Sequence, residues 1–274
     1  MLYSPGSLLP EHRVKASIEL ADFNNRIQDD EYARHHGFRA GLVSGLSIYA
    51  YTSRPLAEFF EKAWLERGAA DISFLRPVYE GEEIRVSGLI TSVSENGTVL
   101  LDCQAANNQG ATCAIAVAQL PSIKPPEPSL EDYPAGHGKL HRPISLESLK
   151  AGENLVPVYS DFTWNVHWQY CRKSIRDLHP LYEKILHPGW LVSRASQILA
   201  ANYAVQAWID VSCRVQHFHV QEEEGTIETR GRVQDRFERK GDHFIELDLA
   251  VFSPSHCLAT IRYTAIFRIA PNAA

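Results

Sequence analysis

The sequence predicts an α+β protein made of two copies of one unit, each a curved antiparallel sheet wrapped around a central helix. Three observations carry this expectation. The run Glu31-Tyr-Ala-Arg-His-His-Gly-Phe-Arg-Ala-Gly-Leu-Val-Ser-Gly45 has a second version in Tyr182-Glu-Lys-Ile-Leu-His-Pro-Gly-Trp-Leu-Val-Ser-Arg194. Each passes from a Tyr through a short Gly-containing loop into Leu-Val-Ser and an apolar helical stretch. The pairs Asn96-Gly97 and Lys240-Gly241 fall at matching places in two runs of strand-like sequence. A stretch rich in proline separates the copies, so the units are expected at residues 1–120 and 153–274, with a linker at 121–152.

Within the first unit, residues 13–20 partly alternate and predict a strand. Asp22 to Asn25 predicts a turn or a helix cap, and residues 28–36 a short helix. Ser44 is placed to cap the central helix by accepting a backbone N–H. Pro55 predicts a break or a fresh helix start. Beyond it, Leu56, Phe59, Phe60, Ala63 and Trp64 repeat at helical spacing. Strands are expected over 71–78, 84–94, 98–107 and 112–120, with Asn96-Gly97 as a type I′ hairpin turn.

The linker has five prolines before Ala135 and little periodicity, which predicts a segment wrapping the surface. In the second unit, residues 156–159 read as a strand, 161–172 as a short helix and 191–208 as the central helix. Strands follow over 210–220, 225–237, 242–253 and 258–269. The two sheets are expected to join edge to edge, which buries two strand edges.

Composition narrows the function classes. The chain has 274 residues, 45% hydrophobic and 22% charged, within the range of globular proteins. A net charge of -6 gives no electrostatic reason to bind nucleic acid or an anionic membrane. No apolar run reaches the roughly 20 residues needed to span a bilayer. The N-terminus lacks the basic and apolar regions of a signal peptide. The five cysteines are scattered, with no CxxC pair, so a reducing, cytoplasmic setting is expected. His217 and His219 stand at i and i+2 of one strand, a spacing that can bind metal. No third ligand is evident, so a surface or pocket-rim place is expected and no metal is assigned.

Several motifs resemble the MaoC-like hydratases and dehydratases, hotdog-fold proteins that act on acyl thioesters. They are the stretch from Asp22-Phe-Asn24 through Asp30-Glu-Tyr-Ala-Arg34 to Gly37-Phe-Arg-Ala-Gly-Leu-Val-Ser-Gly45, and Phe74-Leu-Arg-Pro-Val-Tyr-Glu-Gly81. In the second unit they are Ser160-Asp-Phe-Thr-Trp-Asn-Val-His167, Arg230-Gly-Arg-Val233 and Ala259-Thr-Ile-Arg-Tyr-Thr-Ala-Ile-Phe-Arg268. The likeness spans nearly the whole chain except the linker. It implies a double hotdog, and water added to or removed from a 2,3-enoyl thioester without metal or redox cofactor. The substrate carrier would be coenzyme A or acyl carrier protein, and the chain is compatible with a homo-oligomer.

Such a reaction needs a carboxylate and an imidazole to move protons. It also needs a helix-start N–H for the developing oxyanion. The family's Asp-x-Asn-Pro-x-His is only partly present. Asp22 and Asn24 match, but Ile27 stands in place of the His, while Gly45 matches the helix-start Gly with Ser44 before it. In the second unit Asn165 falls at the carboxylate position, Tyr170 at the imidazole position and Arg194 at the helix-start Gly.

The resemblance therefore assigns Asp22 or Asp161 to orient water and His167 as the only imidazole near the family position. Gly45 N–H would polarise the carbonyl, and Asn24, Ser44, Asn165, Tyr170 and His187 would line the substrate. Plain structural roles stand beside these: Asp22 as a helix cap, His167 packed between Trp164 and Trp168, Gly45 allowing close packing, and His187-Pro-Gly-Trp190 as a tight turn. Arg76, Arg214 and Arg230 read as solvated charges. With neither unit holding the full dyad, two alternatives stay open: a non-catalytic acyl-thioester-binding or partner subunit, and a hotdog thioesterase.

Overall fold

A computed structural model of the chain describes residues 3–18 and 25–270. The first repeat contains β1 (His12–Lys15), α1 (Asp30–His35), α2 (Gly45–Phe60), α3 (Lys62–Arg67), β2 (Ala69–Phe74), β3 (Glu83–Val93), β4 (Val99–Asn107) and β5 (Thr112–Leu120). The second contains β6 (Val158–Phe162), α4 (Trp164–Gln169), α5 (Pro188–Asn202), β7 (Ile209–His217), β8 (Gly225–Arg239), β9 (Asp242–Phe252) and β10 (Cys257–Arg268). Among the described residues the strands form one ten-stranded sheet in the order β1-β3-β4-β5-β2-β7-β10-β9-β8-β6. The repeats join where β2 and β7 pair antiparallel, Ile72 opposite Cys213. Each strand thereby covers the other's hydrogen-bonding edge. Across that seam Arg214 Nε donates to Asp71 Oδ2 at 2.8 Å.

The strands alternate as the pleat requires. β4 reads buried-exposed through most of its length, with Val99, Leu101, Cys103 and Ala105 facing inward. β9 departs from alternation, because most of its residues are buried on both faces. The reason is the linker, which packs on the outer face of the second repeat. There Tyr133 is buried with Phe218, Ala250, Phe252 and Cys257, and its hydroxyl donates to Asp248 Oδ1 at 3.1 Å.

Local details differ from the sequence expectation. The second central helix is Pro188–Asn202 and not 191–208, and Asp161 lies in β6 and not in a short helix. In the first hairpin Gly97 N–H donates to Ser94 O at 2.9 Å and Gly97 has φ 84°, whereas Asn96 is not left-handed. The loop is therefore a three-residue turn closed by a left-handed Gly, not type I′. The type I′ geometry occurs at the second hairpin, where Lys240 (φ 55°) and Gly241 (φ 86°) are both left-handed between the paired Arg239 and Asp242.

Pro55 does not break the central helix. It lies inside α2, with Leu56 and Ala57 buried beside it, and the helix ends only at Glu61, whose φ is 54°. Interior proline costs about 3 kcal/mol. The burial of Leu56, Ala57 and Phe60, each worth roughly 1–3 kcal/mol for the larger side chains, outweighs it. The helices α2 and α5 cross at Gly189. A Cβ there would lie 2.4 Å from Ala50 Cβ and 2.5 Å from the Tyr170 hydroxyl, so only glycine allows this approach.

Candidate functional site

The N-terminus of α2 opens on a cavity of about 150 Å3 lined by residues of both repeats. Ser44 caps the helix, its Oγ accepting Leu46 N–H at 3.2 Å. Asp210, the second residue of β7, reaches the same point from the other repeat. Its Oδ2 accepts the Ser44 hydroxyl at 2.6 Å and the Gly45 N–H at 2.8 Å, and its Oδ1 accepts the Tyr263 hydroxyl from β10. Burial raises the Asp210 pKa above the usual carboxylate range, while these hydrogen bonds pull it back down.

Around this carboxyl the lining is mostly apolar, with Ile27, Phe38, Val43, Phe74 and Trp208. Asn25, Gln28 and the exposed Arg76 supply the remaining polar groups. No histidine lines the cavity among the described residues. Gly45 is required here by space. A Cβ would stand 2.6 Å from Phe74 Cδ2 and 2.8 Å from Asp210 Cβ.

The N-terminus of α5 is built differently. His187 is the cap, with Pro188 as the first helical residue, and its Nδ1 accepts Gly189 N–H at 2.9 Å. Its Nε2–H faces Asp177 Oδ2 at 3.3 Å, and Arg54 from α2 donates to Asp177 Oδ1 at 2.6 Å. Burial pushes Asp177 up, but the His187 hydrogen bond and the nearby positive charges hold its carboxyl well below the usual range. His167 Nε2 accepts the His187 backbone N–H at 3.0 Å, with Cys171 Sγ 3.3 Å away. Its proton therefore sits on Nδ1, which has no hydrogen-bond partner among the described residues. Burial lowers the His167 pKa to about 4, so the ring is neutral at neutral pH.

These positions sort the residues singled out by sequence. Ser44 and Gly45 come together at the cavity, in contact with Asp210. Asp22 and Asn24 lie outside the described residues. Asp161 and His167 are not brought together: Asp161 is exposed and accepts the Thr226 hydroxyl at 2.8 Å, whereas His167 is fully buried. The rings of Phe162 and Trp164 meet His167 edge-on, rather than Trp164 and Trp168. Asn165 is exposed, Tyr170 is buried against α5, and His187 is committed to Gly189 and Asp177.

Arg194 is not at a helix start. It lies inside α5, with its guanidinium 3.9 Å from the Trp190 ring centroid and bonded to Gln197 at 2.9 Å. Asp210 was missed by sequence reasoning, where it is only the first residue of a predicted strand. A carboxylate immediately after the apolar Trp208-Ile209 is the one local hint. Of the other hollows, one of about 280 Å3 touches Asp177, His179 and Tyr182. A wider one of about 780 Å3 lies against Leu8, Leu89, Ile115 and Val117, away from both helix starts.

Solved structures share this architecture. A structure described as a MaoC-domain dehydratase from Chloroflexus aurantiacus superposes with a TM-score of 0.68 at 13% identity, covering 97% of this chain and 96% of that one. A Mycobacterium tuberculosis protein described as a double hotdog gives 0.61 at 12% identity, covering 96% of each chain. A structure described as an oleoyl thioesterase from Lactobacillus plantarum gives 0.58 at 10% identity, covering 98% of each. No protein-family model matches the sequence. No curated protein matches it either. At these identities the likeness establishes the fold, and the chain is a double hotdog.

Proposed function

We propose that the chain is an acyl-thioester hydratase or dehydratase of the MaoC-like kind, working at the N-terminus of α2 with Asp210 as its acid–base group. The observation that carries this reading is the buried Asp210 carboxyl, held by Ser44, Gly45 and Tyr263 against a small apolar cavity. An ionisable group in such a place, with its pKa raised by burial, is a good candidate for proton transfer.

In the hydration direction Asp210 takes a proton from water as the oxygen bonds to C3 of a 2,3-enoyl thioester. The π electrons move through C2 to the thioester oxygen. Protonated Asp210 then loosens its hold on the Ser44 hydroxyl, which rotates to the new oxyanion, and on the fixed Gly45 N–H, which is left to donate to it at the positive end of the helix. The proton passes from Asp210 to C2 and the carbonyl re-forms. No electrons are gained or lost, so the step calls for no redox cofactor. Arg76, exposed at the cavity, is placed to meet a phosphate of coenzyme A or of a carrier-protein arm. Asp22 and Asn24 belong to this proposal as further polar groups, since they precede Asn25 in the same segment.

A second reading is thioester hydrolysis, favoured by the lack of a histidine among the described residues that line the cavity. The same carboxylate would direct water at the thioester carbon, and similar folds are described as thioesterases. Among the described residues no helix is long and apolar enough to cross a membrane. The five cysteines are buried and unpaired, which suits the reducing cytoplasm we assign.

The test is to follow enoyl absorbance with a short enoyl-CoA and free-thiol release from its saturated analogue, for the wild-type chain and Asp210→Asn. Enoyl loss that depends on Asp210 supports hydration, and thiol release alone moves the assignment to hydrolysis. Binding detected by calorimetry without either reaction identifies a non-catalytic acyl-thioester-binding or partner subunit.

A further inference from the structure

On the second repeat, three side chains from separate segments converge. Glu127 comes from the linker, His219 from just beyond β7, and His256 from the turn between β9 and β10. Glu127 Oε2 is 2.9 Å from His219 Nε2, and Glu127 Oε1 is 3.4 Å from His256 Nδ1. One donor atom from each residue lies within 4.8 Å of the other two. Metal–ligand arms of about 2.0–2.1 Å in a tetrahedron put neighbouring donors roughly 3.3 Å apart, near the distance from each imidazole to its nearer carboxylate oxygen.

Lys124 Nζ lies against the same imidazole, 2.8 Å from His219 Nε2 and 3.3 Å from Nδ1. With Nε2–H donating to Glu127, the bare Nδ1 accepts the ammonium. A metal ion would compete with Lys124 for this place.

We infer that Glu127, His219 and His256 form a binding site for a divalent transition-metal ion, zinc being the best match, which pins the linker to the second repeat. Two imidazoles and one carboxylate suit zinc, copper or nickel and not the all-oxygen preference of magnesium or calcium. His256 and Glu127 are partly exposed, so the ion has a direct route from solvent and room for water as a fourth ligand. The imidazoles of His219 and His256 are stacked with centroids 3.9 Å apart. The site is not visible as a linear motif: the i, i+2 pair divides, since His217 is buried with its Nε2 2.7 Å from the Tyr49 hydroxyl.

The experiment is calorimetric titration of zinc chloride into the tag-free, chelator-stripped full chain, repeated with cobalt(II) while recording visible absorption. We expect one site and the d–d bands of a four-coordinate cobalt centre. His256→Ala and Glu127→Gln should each weaken zinc binding at least about tenfold, whereas Lys124→Ala, which removes the competing ammonium, should tighten it. The paired variant His219→Ala/His256→Ala binding zinc as the wild type does would overturn the inference. So would a wild-type chain that binds none. All four side chains are at or near the surface, and circular dichroism of each variant separates lost ligands from lost folding.

Discussion

The carboxylate of Asp210, near the start of β7, accepts the backbone N–H of Gly45, the first residue of α2, at 2.8 Å. The two residues belong to different repeats and are 165 positions apart. The positive end of the α2 dipole thus faces a carboxyl delivered by the neighbouring repeat, which favours its ionised form against the cost of burial. Neither repeat alone contains both the donor and the acceptor, so the duplication is needed to build the site.

Asp210→Asn should keep the fold and lose the reaction. The amide oxygen can still accept Gly45 N–H, and the Tyr263 hydroxyl can rotate to accept from the amide nitrogen. Proton transfer is nevertheless gone. Turnover of an enoyl thioester should fall by about 100-fold or more, with little change in the urea midpoint. Equal turnover in wild type and variant would remove Asp210 from the chemistry.

The pH dependence follows from the direction of the Asp210 shift. Its folded pKa is raised above that of an unfolded carboxyl, near about 3.9. The folded state therefore holds the extra proton between those two values. Stability from this group is full below the unfolded value and declines as pH rises through the folded one, by at most about 1.4 kcal/mol per pH unit. Asp210→Asn should abolish this part of the slope in urea denaturation measured across mildly acidic pH. Tyr263→Phe removes a hydrogen bond that lowers the Asp210 pKa, so the acid limb of the pH–rate profile should move to higher pH. A limb that stays in place would mean that a different group sets it.

Much of the fold was legible because its signals are local. Leu-Val-Ser before the first central helix, Lys240-Gly241 as a hairpin turn and Ser44 as a cap all act within a few residues. What was not legible depends on partners distant in sequence. Asp210 gains meaning only opposite Gly45, and Pro55 is tolerated only because its neighbours are packed. His219 meets Glu127 only after the linker has docked. The resemblance placed Arg194 at a helix start, yet His187 and Pro188 begin α5 earlier, so Arg194 lands in the helix interior against Trp190.

Gly45→Ala tests the space at the helix start. The new methyl would lie within 3 Å of both the Phe74 ring and Asp210 Cβ. Relief requires the Phe74 ring or β7 to move, at a cost of about 1–3 kcal/mol. Either movement disturbs the cavity, so acyl-thioester binding in calorimetry should weaken together with stability. A variant as stable as wild type that still binds would show that the cavity walls yield freely.

The group at the start of α5 is expected to hold structure and not to transfer protons. Asp177 accepts from His187 and from Arg54, so it ties α5 to α2 through an almost fully buried carboxylate. His187→Ala leaves that carboxylate short of a partner and Gly189 N–H without its cap, and should destabilise the chain by about 3–5 kcal/mol. His167→Ala removes a neutral ring that accepts one backbone N–H, and should cost about 1–3 kcal/mol for the orphaned donor. Because His167 does not line the cavity at α2, its alanine variant should turn over substrate at the wild-type rate per folded molecule. Urea denaturation gives the folded fraction, and the enoyl assay gives the rate. A well-folded His167→Ala chain without turnover would transfer the acid–base role from Asp210 to the imidazole, and with it the active site from the start of α2 to the start of α5.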